Sequence, residues 1–400
     1  MKKYNINSIL YSSFFSFFIM LIIMLSYCFF PNVGVLSKYI KYLSYFLSFV
    51  IFFVYLLNFN YSKFIFMLFG FAFVILFSSY INKYGSVIEF LKIYFRIISL
   101  TCYLDYGLKK YTKSTLNSLF WVFYLLIMIN FYTIIKYPNG LYLTDLYSSN
   151  WFFGYDNTHI FMYLPALILM FCTKKIFKPY GILLFLVITF SVFKCFSANS
   201  VVAYSIFLLY FIFNRYVSKI KILNIKSFFF IYIILFFLFV KLRIQNLFEW
   251  FIVGVLKKSL TFSTRTFIWD RVEKLIIKHP FLGYGQESNL TIVSKLGDPH
   301  YTHAHNTFLD VLYKCGLFGF VFHLLLIILP CKELYKYKDY FLTKILSILL
   351  FSAMIMMIFE ARQEKIGLYL ILVLSYNIGN IITSFNHSEN LSLLKEKYNE

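Results

Sequence analysis

Charge is what this sequence has least of. Only 14% of its 400 residues are Asp, Glu, Lys or Arg, against about 25% in soluble globular chains, while 60% are hydrophobic and the mean hydropathy is +0.74. Too little charge remains to solvate a water-exposed surface, which excludes an ordinary water-soluble enzyme. Acidic residues are the scarcest, 17 against 38 basic, for a net charge of +21. A basic excess of that size raises the question of nucleic acid. The lysines, however, fall between apolar runs instead of along one soluble face, so no nucleic-acid partner is expected. The six cysteines (Cys28, Cys102, Cys172, Cys195, Cys315 and Cys331) are scattered without a C-x-x-C pair, so neither a disulfide framework nor a zinc ribbon is supported. Internal repeats, including the inverted repeats of transporters, are also missing.

Apolar runs are plentiful. SILYSSFFSFFIMLIIMLSYCFF (8–30) reaches the roughly 20 residues needed to cross a ~30 Å hydrocarbon core, and SFFFIYIILFFLFV (227–240) approaches that length with its flanks. The first run reads as a span and not a signal peptide, because no small-residue cleavage site follows it. The pattern predicts an all-α, polytopic transmembrane helical bundle of about twelve spans, near 9–30, 41–58, 64–81, 86–105, 115–135, 158–173, 180–196, 199–213, 227–241, 306–330, 343–360 and 367–385. Tyr, Trp and Lys flanking the shorter ones would lie in the interfaces.

Orientation follows from the basic residues. With Lys2 and Lys3 inside, the inner connections collect Lys63, the cluster Lys109, Lys110 and Lys113, the cluster Lys174, Lys175 and Lys178, two further basic clusters at 215–226 and 332–344, and the tail lysines Lys395 and Lys397. The short outer connections hold only Lys38, Lys41, Lys83, Lys136, Lys194, Arg362 and Lys365, so the positive-inside rule predicts that both termini are cytoplasmic. The chain then divides into spans one to nine (1–241), a large extracytoplasmic loop (242–305), spans ten to twelve (306–385) and a cytoplasmic tail (386–400).

That loop of about sixty residues far exceeds the usual connection and is patterned, which marks it as functional. LFEWFIVGVLKK (247–258) reads as a helix lying in the interface. FSTRTFIWDRVEKLIIKHP (262–280) reads as an amphipathic helix with Ser263 or Thr264 as N-cap, Phe267, Ile268, Val272, Leu275 and Ile276 as its apolar face, and Pro280 as its stop. Gly283, Tyr284 and Gly285 read as a turn. Glu89, Lys92 and Arg96 recur at helical spacing in the fourth span; they either line a cavity or snorkel to the interface. The trio His300, His303 and His305, with Asp298 nearby, has the residue types of a metal site but no recognised ligand spacing, and no metal is expected. Asp156 and His159 read as loop polarity, with a cavity rim as the alternative. Glu360, Arg362 and Glu364 are placed on the outer side near the loop, where acceptor sugars could bind.

STRTFIWDRVEKLIIKHPFLGYGQES, a spacer, and HAHNTFLDVLYKCGLFGF together resemble the signature loop of the O-antigen polymerase and ligase family. The family pattern is an Arg, a Trp four residues later, "hPf-G-G", then "aHN-fL" and "GlfG". Here these are Arg265, Trp269, His279 to Phe281, Gly283, Gly285, His305, Asn306, Phe308, Leu309, Gly316, Leu317 and Gly319. The ordered resemblance covers residues 262–320, with fainter echoes at Asn157 and at Leu164 and Pro165. It departs from the pattern at Asn199 and Ser200, where many members carry Ser-Arg. A second diphosphate-binding arginine is therefore absent there, with Lys194, Lys241 or Arg243 as substitutes.

The resemblance implies a cofactor-free enzyme of the bacterial inner membrane that moves glycan from undecaprenyl diphosphate to a sugar hydroxyl at the outer leaflet. Its partners would be the lipid-linked oligosaccharide, membrane lipids and a chain-length copolymerase. Arg265 would hold diphosphate, since guanidinium is permanently charged and bidentate. His305 would be the base, histidine being the side chain that titrates near neutrality. Arg271, Asn306, His303, Trp269, Lys194 and Arg243 complete the expected substrate-binding set. A repeat-unit polymerase is the leading reading, a ligase the nearest alternative, and a lipid-linked oligosaccharide flippase the alternative of another class. Without that chemistry, Arg265 would be a solvated interfacial charge and Asn306 only a helix cap.

Overall fold

The computed structural model describes residues 6–28, 34–58, 61–144, 147–217, 220, 222–244, 265–297 and 301–384. The expected interfacial helix at 247–258 and the caps Ser263 and Thr264 lie outside these residues, as do Asp298 and His300. In chain order the helices are α1 (Ile6–Leu10), α2 (Ser13–Leu25), α3 (Gly34–Leu57), α4 (Lys63–Ile81), α5 (Val87–Lys110), α6 (Thr112–Lys136), α7 (Asp156–Cys172), α8 (Pro179–Cys195), α9 (Ala198–Ile212) and α10 (Asn214–Val217). They continue with α11 (Ile225–Phe236), α12 (Arg265–Lys278), α13 (Asn289–Leu296), α14 (Thr307–Lys336), α15 (Phe341–Phe359) and α16 (Ile366–Tyr376).

The protein is thus an all-α polytopic membrane protein. Among the described residues, α3, α4, α6, α14 and α15 are long and apolar enough to cross a membrane, and α16 with Ile378–Ser384 makes a sixth candidate bent by 60°. The remaining expected spans coincide with helices that fall short in different ways. Helices α2, α8 and α9 have only 13, 17 and 15 residues, while α5 is long but carries Glu89, Lys92, Arg96, Asp105 and Lys109.

Burial orders the bundle. The apolar window of α15 is 83% buried and that of α3 only 22%, so α15 is the central helix and α3 lies at the rim, facing lipid. Around them α14 packs on α4, α16 and α12, and α15 on α9 and α11. Polar caps begin several helices. The hydroxyls of Ser62, Ser86 and Ser288 accept from Ile65, Glu89 and Thr291 N–H groups at the starts of α4, α5 and α13.

The group Glu89, Lys92 and Arg96 does not form one charged face. Lys92 pairs with Glu89 at 2.6 Å, near the surface. Arg96 is buried, donates to the Ser26 carbonyl and hydroxyl, and lies over the rings of Tyr27 and Tyr45. It ties α5 to the end of α2.

Two features fall outside the helical pattern. Strands β1 (Tyr142–Thr144), β2 (Tyr147–Trp151) and β3 (Gly154–Tyr155) form an antiparallel sheet in that order between α6 and α7. It is anchored to the end of α6: the Trp151 indole donates to the Tyr137 carbonyl at 2.8 Å, and the Phe153 amide to Asn130 Oδ1 at 2.9 Å.

The second is a break in α14. Gly316 has φ 57 and ψ −160, and the turn after α12 enters the gap. Tyr284 and Gly285 donate to the carbonyls of Tyr313 and Lys314 at 2.8 and 2.7 Å, while Leu317 and Phe318 donate to those of Pro280 and Phe281 at 2.8 and 3.2 Å. The turn thus satisfies two carbonyls and two amides on either side of the break, as burial demands. Only glycine suits Gly283: its φ is +67, and a Cβ would stand 2.5 Å from the Tyr313 carbonyl oxygen.

Candidate active site

The start of α14 is a clamp. The Asn306 side chain accepts from the Leu309 N–H at 2.9 Å, capping the helix, and donates to the Ile358 carbonyl at 2.8 Å. Next to it the Thr307 hydroxyl donates to the Glu360 carbonyl at 2.7 Å and accepts from the Arg362 N–H at 3.0 Å. The segment leaving α15 is therefore fixed to the first residues of α14. Asp310 completes the clamp by accepting from the Ala304 N–H at 2.9 Å and pairing with buried Lys314 at 2.9 Å; Gln363 and Glu364 bond to Asp310 and Lys314 respectively.

This clamp gathers side chains around one carboxylate. Glu360 Oε1 lies 2.7 Å from Arg265 Nη2 and accepts from Asn157 Nδ2 at 3.3 Å. Glu360 Oε2 lies 3.8 Å from Arg362 Nη2 and 3.4 Å from His305 Nδ1. The last contact is outside good hydrogen-bond geometry. Arg362 also donates to the Asn157 carbonyl at 3.0 Å and lies over the Phe161 ring, and Ser197 at the head of α9 bonds to Asn157. The ends of α7, α9, α12, α14 and α15 thus meet at one point.

His305 holds φ 47, a left-handed conformation costly for a side chain with a Cβ. Its amide donates to His303 Nδ1 at 3.1 Å, the two rings lie 4.0 Å apart, and Tyr301 meets His305 edge-on. Burial and then the neighbouring His305 push His303 well below the ordinary histidine range, so it stays neutral and can accept that bond. Burial alone would raise the Glu360 carboxyl, but His305 and the Arg362 and Arg265 guanidiniums hold it well below the usual range. Glu360 is ionised, with two permanent positive charges beside it. Arg265 is the more open of the two, its side chain 16% exposed against 3% for Arg362.

Of the residues expected from sequence, Arg265, His303, His305 and Asn306 come together here. The others lie elsewhere. Arg271 donates to the Leu296 carbonyl and tethers α12 to the end of α13. Trp269 is fully buried under α12, and Arg243 pairs with Asp270 at 2.6 Å while covering the Trp269 ring. Lys241 pairs with Glu273 at 2.8 Å, and Lys194 is exposed in the last turn of α8. On α12, Ile268 and Val272 are buried as expected, but Phe267 is 61% exposed.

Glu360 and Arg362 stand at the centre of the site, whereas sequence placed them only near it. The available signal was EARQEK (360–365), a dense charged run between two apolar helices. Among the described residues, His303, His305 and Glu360 form the cluster whose possible ligand atoms lie within 4.8 Å of one another. Two guanidiniums already share that carboxylate, which opposes a cation and favours an anion.

Residues 164–324 match a family model described as O-Antigen ligase. The matched stretch runs from within α7 into α14, taking in Arg265, His303, His305 and Asn306 but not Asn157, Glu360 or Arg362. No curated protein and no solved structure matches the chain.

Proposed function

We propose that this membrane protein, in which residues 164–324 match a family model described as O-Antigen ligase, is a polysaccharide polymerase. It joins an O-antigen or capsule repeat unit, carried on undecaprenyl diphosphate, to a sugar hydroxyl of another lipid-linked unit. The observation that carries the reading is the convergence of Arg265, Arg362 and His305 on Glu360. It provides two fixed positive charges for a diphosphate and, 3.4 Å from the shared carboxylate, a histidine to accept a proton.

The chemistry balances as a single displacement. The acceptor hydroxyl oxygen attacks the anomeric carbon as His305 Nε2 takes its proton. The anomeric carbon–oxygen bond breaks, and its electron pair leaves on the lipid diphosphate, whose growing charge the guanidiniums stabilise. The anomeric centre inverts, and His305 returns its proton to solvent. The clustering of basic residues in alternate connections supports a site on the extracytoplasmic side of the bacterial inner membrane, where a lipid diphosphate is the leaving group at hand. A chain-length copolymerase is the partner proposed by family analogy.

The description of the matched family favours a second reading, a ligase moving finished glycan to another acceptor. One experiment separates the two: surface polysaccharide from a deletion strain complemented with wild type, Arg265→Ala or His305→Ala. Single repeat units in place of long chains, rescued only by wild type, support the polymerase. Long lipid-linked chains that never reach their acceptor indicate the ligase, and unchanged glycan removes both and points to transport. Arg265→Lys keeps the charge and loses the fork, so full activity would refute bidentate phosphate binding.

A further inference from the structure

We propose that Glu360 is the positioning residue of this site, holding His305 for proton transfer with one oxygen and releasing Arg265 to the donor diphosphate with the other. The inference rests on the glycan-transfer reading above, and concerns a residue outside the matched stretch.

The two oxygens of Glu360 have different neighbours. Oε2 stands by the Nδ1 edge of His305 and by Arg362; Oε1 takes Arg265 and Asn157. A carboxylate on Nδ1 fixes the proton there, which leaves Nε2 as the nitrogen able to receive one. When Nε2 takes the acceptor proton, the ring becomes an imidazolium whose charge Glu360 balances; when the proton leaves to solvent, the pair is restored. The one net proton released over the cycle is that of the acceptor hydroxyl.

The backbone makes this placement rigid. Thr307 and Asn306 hold the Glu360 and Ile358 carbonyls, so the residues carrying the imidazole and the carboxylate move as one piece. A purely structural anchor would not need a charge here. A buried carboxylate loses its hydration and is retained at a cost unless its partners use the charge.

The arginines differ in what they can do on donor binding. Arg362 is almost wholly enclosed, stacked on Phe161 and bonded to the Asn157 carbonyl. Arg265 opens to solvent at the first residue of α12. A diphosphate therefore competes with Glu360 Oε1 for Arg265.

This competition gives the inference a signature that a structural role lacks. Glu360→Gln should lower the KM for donor several-fold, because the competing charge is gone, while kcat falls about 10²-fold or more with the loss of the His305 partner. The assay uses purified full-length protein in lipid nanodiscs, with lipid-linked repeat units extracted from the deletion strain. A higher KM together with a lower kcat would make Glu360 a structural anchor and overturn the proposal, as would unchanged constants. If Glu360→Gln does not accumulate in the membrane, Glu360→Asp is the second variant. Its shorter chain keeps the charge near Arg265 but withdraws from His305, so kcat should fall with KM held; wild-type kcat overturns the proposal. Wild-type protein that transfers no glycan would instead remove the underlying reading.

Discussion

Leu317 donates its amide to the carbonyl of Pro280 at 2.8 Å, across the point where α14 breaks. The turn from Pro280 to Gly285 is thereby built into the helix that carries the active-site clamp, and a change in the turn should be felt at His305. Gly283→Ala places a Cβ against the Tyr313 carbonyl at φ +67. The strain, about 1–3 kcal/mol, should lower the thermal midpoint of the purified protein and reduce polymer length in cells. An unchanged midpoint would mean that the backbone exchange at Gly316 contributes nothing to stability.

Arg362 is the second guanidinium beside Glu360, and in the proposed reading it takes the part of the arginine missing at Asn199 and Ser200. Arg362→Ala leaves Glu360 half compensated and removes a charge from the diphosphate site, so transfer should fall about 10²- to 10³-fold, the scale for loss of one fixed transition-state donor. Lys241→Ala and Arg243→Ala each break an ion pair with another carboxylate, Glu273 or Asp270 on α12, and should retain most activity. The reverse ranking, read from polymer yield at matched protein levels, would move the diphosphate to the other face of α12.

The bundle was legible in the sequence because a long apolar run in a weakly charged chain has few fates other than a helix in a membrane. The small features were not. The sheet formed by β1 to β3 is held by α6 through Trp151 and Phe153, contacts that no local pattern announces. The break at Gly316 was hidden because CGLFGF reads as continuous helix until the turn from Pro280 fills it. The site was half legible. Arg265, His303, His305 and Asn306 lie in one loop and its adjoining helix, whereas Glu360 and Arg362 reach them only through the clamp at Asn306 and Thr307. Charge within a chain otherwise so poor in it was the surviving signal, and it marked the neighbourhood without revealing which carboxylate the arginines share.

Asn306 joins two roles that can be separated by experiment. As an N-cap alone, its replacement by alanine should cost ~1 kcal/mol. The same side chain also satisfies the buried Ile358 carbonyl, and an unsatisfied buried acceptor adds about 1–3 kcal/mol. Asn306→Asp keeps the capping oxygen and loses the donor. It should therefore be destabilised relative to wild type by thermal unfolding in detergent. An aspartate variant as stable as wild type would reduce Asn306 to a cap.

Asp156 connects the site to pH. Burial first, and then the Glu360 charge, raise its carboxyl to about 6 against the opposing pull of the Asn157 amide and Arg362. Below that pH Asp156 is neutral; above it, a second negative charge appears beside Arg362, which in the proposed reading helps to hold the diphosphate. Donor affinity should therefore weaken as pH rises through about 6, in the direction opposite to a site that needs this carboxylate ionised. Asp156→Asn fixes the neutral form and should flatten that step while leaving affinity at lower pH close to wild type. Measuring KM for lipid-linked donor between about pH 4.5 and pH 7.5, a range of about one and a half units either side of the step, checks the sign: a wild-type KM that falls with rising pH, or an Asp156→Asn curve that keeps the step, would assign the titration to another group.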